Sequence, residues 1–216
     1  LSQMLTEQIN PHFIYNTLEI INMEIINGHQ ERASAMIGAF ASFLRYTLNR
    51  GEDTTTITQE LEQCRLYLSI MNTRQGLNIL LIHDIPSHLM SLVIPKSILL
   101  PLVENSIRHG FTAADQLSLE PPVITISAEV ANGRYTLGVC DNGSGIDIYQ
   151  AKKALNEHSA QSGHIGLYNV YNRLKLYFAD VEVNLASIPG FRNTITFTFS
   201  IDPDRSAPQR IATLSK

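Results

Sequence analysis

The 216-residue chain has few cysteines, little net charge and no long hydrophobic run, and each of these argues against a class of protein. Its two cysteines, Cys64 and Cys140, are far apart and lack metal-ligand spacing, which indicates reduced thiols in a cytosolic protein. Its net charge is −4 without a long run of either sign, which argues against nucleic acid as the main partner because phosphate binding favours a basic face. We recognise no signal-peptide pattern in these residues and no apolar run long enough to cross a bilayer.

The chain does have enough apolar material to fold. Hydrophobic residues make up 44% of it, which can bury a core in one large domain or two small ones. The first residue, Leu1, already lies in a helical pattern. We therefore expect a fragment whose N-terminal part is missing.

Apolar residues at helical spacing predict helices over residues 1–26, 31–49 and about 57–74. Thr56 and Gln59 resemble a capping box at the start of the third helix, and residues 54–56 are predicted to be a loop. Beyond residue 76 the pattern alternates, and Asn132-Gly133 predicts a hairpin. Strands are predicted at 77–83, 123–130, 135–140, 181–185 and 195–201, and helices at 95–109, 148–156 and 167–178.

These elements predict an α+β chain in which a helical region precedes an α/β sandwich of about five strands and three helices. We place the helical region at residues 1–75, the sandwich at 76–202 and a loose tail at 203–216. Pro95 is predicted to start a helix, since the backbone N–H that proline lacks would be unpaired there anyway.

The second half carries three polar clusters. Glu104 and Asn105, followed by Arg108 and His109, end an otherwise apolar helix. An asparagine carbonyl is a hard oxygen ligand that suits Mg²⁺, and a basic residue one turn later could face phosphates. The alternative is the ordinary polar end of an amphipathic helix.

The other two clusters contain glycine. Asp141 follows a strand and precedes Gly143 and Gly145, so its carboxylate could accept a hydrogen bond from an exocyclic amine while the glycines let the backbone approach a flat ring. Residues 162–167, SGHIGL, lead into a helix and could cradle phosphate at its N-terminus. The alternatives are a plain turn and an ordinary loop, and neither cluster is a Walker A loop or a dinucleotide fingerprint.

In order and spacing, the three clusters resemble the N, G1 and G2 boxes of the GHKL ATPases, a superfamily with a Bergerat-type sandwich and a mixed sheet. The segments LVENSIRHG (102–110), DNGSGI (141–146) and GLYNVYNRLKLYF (166–178) resemble the LytS/YesM group of sensor histidine kinases. That group carries the motif QINPHFLFNTL, and residues 8–18 read QINPHFIYNTL. Arg45-Tyr46 and Glu60-Leu61 also lie where the group has them.

The resemblance implies an ATP site that uses Mg²⁺. It assigns Mg²⁺ binding to Asn105 and adenine binding to Asp141. Glu104 would polarise water in the metal shell, and gyrase-type hydrolysis is not expected because Pro101 stands where such enzymes carry a catalytic glutamate. The remaining ATP-binding residues implied are Arg108 and His109 near the phosphates, Gly143 and Gly145 along the adenine wall, and Gly163, Gly166 and Leu167 at the end of the lid, where His164 replaces a frequent glycine.

The resemblance also implies that His12 is the phospho-acceptor. Imidazole titrates near neutral pH, so a neutral ring nitrogen is available as a nucleophile. Many histidine kinases carry an acid directly after this histidine, but here the residue is Phe13, which leaves the general base unassigned. Asn16, one helical turn on, is expected to position water when the partner is dephosphorylated.

The implied function is that of a sensor histidine kinase, which autophosphorylates His12 with ATP and passes the phosphoryl group to an aspartate of a response-regulator receiver domain. Its expected setting is a homodimer in the cytoplasm, attached to a membrane only through the missing N-terminal part. Two alternatives remain open: a dimeric nucleotide-sensing scaffold without phosphotransfer, and an ATP-driven clamp.

Overall fold

The computed structural model describes residues 11–48, 53–111, 121–157 and 165–201. Three helices come first: α1 (Pro11–Ile26), α2 (Gln30–Leu48) and α3 (Ile57–Gln75). The first ten residues of the predicted first helix, the lid glycine Gly163 and the predicted loose tail lie outside the described residues.

The three helices pack through an aromatic cluster. Phe13, Thr17 and Ile21 recur at four-residue spacing on the buried face of α1, as an amphipathic helix requires. The Phe13 ring lies 5.3 Å from the Phe43 ring of α2 and 5.2 Å from the Tyr67 ring of α3, centroid to centroid. The residue that follows the predicted phospho-acceptor therefore fastens α1 to both other helices.

The start of α3 confirms the predicted capping box and corrects the predicted loop. The Thr56 side chain accepts the Gln59 backbone N–H while the Gln59 side chain accepts the Thr56 N–H. Residues Thr54–Thr56, however, form a strand, β1, that pairs antiparallel with β3 (Val93–Pro95). Threonine favours strands, but the partner lies almost 40 residues away along the chain, where local patterns cannot identify it.

The main sheet has five strands in the order β2-β4-β5-β7-β6. β2 runs parallel to β4 and the remaining pairs are antiparallel, so the sheet is mixed and the predicted α+β class is confirmed. Asn132 and Gly133 have φ values of 53° and 75°, which fits the predicted tight hairpin. The strands are β2 (Leu80–Asp84), β4 (Val123–Ala131), β5 (Arg134–Asp141), β6 (Ala179–Ile188) and β7 (Arg192–Ser200).

Helices α4 (Leu99–Asn105), α5 (Ile148–Glu157) and α6 (Ile165–Tyr177) complete the sandwich. The prediction that Pro95 starts a helix is wrong: Pro95 pairs with Thr54 in the small sheet, and the helix begins four residues later. α4 continues through Ser106–Gly110 as a π-helical turn, a widened geometry that recurs at functional sites. Apolar residues of α4, α6 and the sheet share one core, which includes Leu99, Leu102, Val170, Leu174, Ile126 and Phe197.

Within the described ranges, no helix has both the length and the apolarity needed to span a membrane.

Candidate functional site

A pocket of about 260 Å³ opens between the end of α4, the start of α6 and the strand ends of the sheet. The π-helical turn, the loop after β5 and the first turn of α6 converge at this pocket. Its lining residues are Asn105, Ser106, His109, Gly110, Asp141, Gly145, Ile146, Asp147, Ala151, Leu167 and Ile195.

Asp141, the last residue of β5, is held from three directions. Its Oδ2 accepts the Ser106 hydroxyl at 2.6 Å, and its Oδ1 accepts the Asn193 side-chain amide at 2.9 Å and the Gly143 backbone N–H at 3.0 Å. The residue is only 7% exposed. These donors fix the direction of the carboxylate and leave one lone-pair site, on Oδ2, for a ligand.

Ser106 and Asn193 are functional candidates that sequence reasoning missed. Asn193 is 1% exposed and pairs directly with Asp141 in the register of β5 and β7. Its amide also donates to the Gly143 carbonyl at 2.9 Å. A pattern could have found it: 193 continues the inward positions 195, 197 and 199, where a polar residue needs a buried partner.

The glycines around Asp141 allow two backbones to touch. A Cβ on Gly143 would lie 2.6 Å from the Gly110 backbone carbon, closer than real Cβ atoms approach. The Ser144 N–H donates to the Gly110 carbonyl at 2.8 Å, and its hydroxyl donates to the His109 carbonyl at 2.7 Å. The second polar cluster is therefore fastened to the end of the first.

Gly166 brings the third cluster to the first. A Cβ built on Gly166 would lie 3.5 Å from Asn105 Nδ2 and 3.6 Å from Pro101 Cβ, so α6 begins against α4. Leu167, the next residue, is buried in the pocket wall.

Glu104 and Arg108 lie on the same helix as Asn105 but are not among the residues that line the pocket. Desolvation by surrounding protein raises the pKa of Glu104, and the Arg108 guanidinium partly offsets this, although the residue as a whole stays exposed. After burial itself, the Glu104 charge is the next cause that raises the pKa of Tyr67. Glu104 thus lies on the side of α4 that faces α3.

His12 lies on α1 with its side chain exposed. The Asn16 amide nitrogen is 3.0 Å from His12 Nδ1 and 3.1 Å from Nε2, so it can bond either ring nitrogen. Neither residue lines the pocket. The structure therefore brings Asn105, His109, Asp141, Gly145 and Leu167 together and leaves the predicted acceptor on a separate element.

A mixed sheet with a buried, hydrogen-bonded carboxylate at a strand end and close glycine contacts beside it is typical of a GHKL-type ATP-binding domain. The chain belongs to the histidine kinase-, DNA gyrase B- and HSP90-like ATPase family, whose model matches residues 92–203. The histidine kinase model matches residues 2–79. The family description implies ATP binding, and the resemblance to the LytS/YesM sensor histidine kinases is confirmed.

Curated relatives cover most of this chain. Sensor histidine kinase YesM of Bacillus subtilis is 34% identical over 82% of the chain, and sensor histidine kinase YpdA of Escherichia coli is 32% identical over 82%. Sensor protein LytS of Oceanobacillus iheyensis is 31% identical over 79%. The chain spans only 29–30% of the length of these relatives.

Solved structures agree on the fold. The Acinetobacter baumannii histidine kinase AdeS superposes with a TM-score of 0.51 at 14% identity, covering 88% of this chain and 98% of that one. The catalytic domain of histidine kinase ThkA gives a TM-score of 0.50 at 12% identity, covering 70% and 97%.

Proposed function

We propose that this chain is the catalytic part of a sensor histidine kinase, which transfers the γ-phosphoryl group of ATP to His12. The observation that carries the proposal is the pairing of two features in one chain. One is an exposed imidazole held by Asn16, and the other is a pocket with a buried, three-way bonded carboxylate at Asp141.

The pocket suits the adenine end of ATP. The fixed Asp141 carboxylate accepts a hydrogen bond from the exocyclic amine. Gly143 and Gly145 shape the adenine wall: Gly145 lines the pocket, and Gly143 lets the loop pack on the Gly110 backbone. Asn105 fits Mg²⁺ because its side-chain amide oxygen is a hard ligand at the pocket wall, and the ion would neutralise charge on the phosphate oxygens. We assign phosphate contacts to Arg108 and His109.

The reaction needs little covalent chemistry from the protein. A neutral nitrogen of His12 attacks the γ-phosphorus, the bond to the β-phosphate oxygen breaks, and ADP leaves with the electron pair. The product is a phosphoramidate, whose phosphoryl group then moves to an aspartate of a receiver domain. Glu104 would polarise water in the shell of a bound Mg²⁺. Asn16 orients the imidazole, and during dephosphorylation of the partner it positions water.

A homodimer is the proposed working form. Apolar side chains stay exposed on the helical region, and pairing two copies in a helical bundle would cover them. We place this part on the cytoplasmic side, where ATP and receiver domains are found. The exposed residues are Tyr15, Leu18, Met23, Ile25, Ile26, Ile37 and Leu48.

Incubation of the chain with γ-labelled ATP and Mg²⁺ tests the proposal. Label that is acid-labile, is lost in His12→Gln and is retained in the matched variant His29→Gln supports the kinase. ATP binding without label, both in this chain and in a chain extended at its N-terminus, would instead favour the nucleotide-sensing scaffold.

A further inference from the structure

A buried carboxylate of α3 holds the start of α4. Glu60 is 1% exposed and accepts three backbone N–H groups, from Ser97 at 2.7 Å and from Ile98 and Leu99 at 2.9 Å each. Ile98 is the N-cap of α4 and Leu99 its first residue, so their N–H groups are among the donors that a helix leaves unpaired at its N-terminus, where negative charge is also favoured. Glu60, on the third of the helices that precede the sandwich, therefore caps the helix that ends in Asn105.

A second helix of that region reaches the same carboxylate. The Tyr46 hydroxyl of α2 lies 3.1 Å from Glu60 Oε1 and 3.0 Å from Thr55 Oγ1. A phenol has one proton, and the carboxylate is the stronger acceptor. Burial, and then the Glu60 charge, raise the pKa of Tyr46, so the hydroxyl remains a donor throughout the neutral range.

The 96–98 segment between β3 and α4 is also held from the opposite side. Arg173 of α6 donates from Nη1 to the Lys96 carbonyl at 2.6 Å, and Lys96 Nζ lies 5.6 Å from the centre of the Tyr46 ring. Ser97 has a φ of 58°, a left-handed conformation that non-glycine residues adopt at a cost and keep only when contacts enforce it. Side chains from α2, α3 and α6 supply those contacts.

The two helices anchored at this segment also form the pocket. Asn105 lies six residues beyond Leu99, about 9 Å along the helix axis, so a shift at the start of α4 moves the proposed metal ligand. α6 meets Asn105 at Gly166 and reaches the 96–98 segment two turns later at Arg173. On the other side, α2 and α3 pack on Phe13, next to His12.

We propose that Glu60, with Tyr46, is a positioning residue that couples occupancy of the nucleotide pocket to the helices that carry His12. The inference rests on the proposed function. A carboxylate is required because it can accept all three N–H groups, whereas the amide nitrogen of a glutamine would oppose at least one of them. Coupling through this contact predicts that nucleotide binding slows amide exchange in α2. It also predicts that phosphoryl transfer to His12 depends on the contact.

The test compares Glu60→Gln and Tyr46→Phe with the wild-type chain. Glu62→Gln is the matched control, since Glu62 is an exposed residue of the same helix that pairs with Arg65 across 3.7 Å. Amide hydrogen exchange is measured over α2 and α4 with and without a non-hydrolysable ATP analogue and Mg²⁺. Labelling of His12 is measured on the same samples.

We expect the analogue to slow exchange in both α2 and α4 of the wild type and of Glu62→Gln. In Glu60→Gln and Tyr46→Phe the protection near the pocket remains, the protection of α2 is lost, and labelling slows about tenfold, a typical size for a coupling free energy. A merely structural role for Glu60 would raise exchange with and without nucleotide and leave the nucleotide-dependent difference in place.

Nucleotide-dependent protection of α2 that survives in both variants, or that is absent from the wild type while the analogue binds, would overturn the coupling. Tyr46→Phe keeps the carboxylate and its three backbone bonds, so it tests the contact even if Glu60→Gln does not fold. A wild-type chain that binds no nucleotide would contradict both the proposed function and the coupling. A wild-type chain that binds nucleotide without labelling of His12 would contradict only the proposed kinase activity. The exchange measurement would still test the coupling.

Discussion

Asn193 is the residue on which the geometry of Asp141 most depends. Its amide bonds both the Asp141 carboxylate and the Gly143 carbonyl, and its own oxygen accepts the Ser187 hydroxyl at 2.8 Å. A single buried side chain thus joins β7 to the loop that follows β5. The neighbouring glycines mark Asp141 as a candidate binding residue in the sequence. Asn193, which orients it, lies 52 positions later on another strand.

Asn193→Ala should both destabilise the chain and weaken nucleotide binding. Leaving buried partners without their hydrogen bonds typically costs about 1–3 kcal/mol. Urea unfolding and titration with an ATP analogue measure the two effects. Asn184→Ala, at an exposed position of the neighbouring strand β6, is the matched control and should change neither. Equal effects of the two substitutions would contradict the role given to Asn193.

Glu104 gives a prediction about pH. Its pKa is raised from the ordinary value of 4.5, chiefly by desolvation, so folding favours the protonated carboxyl. That stabilisation is complete below the pKa of the unfolded chain and is lost as pH rises through the higher folded value. Relative to Glu104→Gln, the wild type should therefore lose free energy of unfolding as pH rises from the ordinary pKa of 4.5 through the higher folded pKa. Chemical denaturation across that range checks the sign, and a difference that is constant or reversed would contradict it.

At the scale of elements, the site depends on a direct contact between two stretches of backbone, at Gly143 and Gly110. The loop after β5 lies directly on the π-helical turn at Gly110, and any Cβ at Gly143 would enter that backbone. The contact joins the loop that follows Asp141 to the helical turn that follows Asn105. It also explains why the glycine at 143 is needed for close approach and not only for a turn.

Gly143→Ala should therefore open the pocket and lower nucleotide affinity strongly, because the obstruction is backbone and cannot rotate away. Gly38→Ala in α2 is the contrasting substitution: a Cβ there meets nothing within 4 Å, and helix propensity predicts a gain of about 0.5–1 kcal/mol. Calorimetric binding and thermal unfolding of both variants provide the comparison. Unchanged affinity in Gly143→Ala would show that the two loops do not need to touch.

Local patterns predicted the elements well where the deciding residues are close in sequence. The capping box at Thr56 and the hairpin at Asn132-Gly133 are confirmed because each depends on neighbouring residues. The predictions for residues 54–56 and for Pro95 were wrong because these two segments pair with each other across almost 40 residues. Ser106 and Glu60 were not predicted as contacts for the same reason, since their partners belong to distant strands and helices.

At the scale of the whole molecule, Leu18 and Ile25 of α1 are exposed and lie seven residues apart, on the same side of the helix. They border the buried Ile21, which is three residues from one and four from the other. On α2, Ile37 and Leu48 repeat the pattern at eleven residues. Such a face would be covered in the proposed homodimer.

Leu18→Glu should shift the chain toward the monomer, because a buried charge at a helical interface is costly. Leu176→Glu is the matched control, since Leu176 is also an exposed leucine but lies on α6, outside the helical region. Light scattering over a concentration series gives the solution mass. A dimer unaffected by Leu18→Glu would place the interface on another surface.

The most direct test of the central claim is the position of the transferred phosphate. After incubation with ATP and Mg²⁺, peptide mapping at neutral pH should find phosphate on His12. Asp141→Asn should abolish it, because two donors hold the amide oxygen at the Oδ1 position and the amide N–H group then replaces the Oδ2 acceptor for adenine. Phosphate on another residue, or on His12 to the same extent in Asp141→Asn, would contradict the account that nucleotide held at this pocket is the donor to that imidazole.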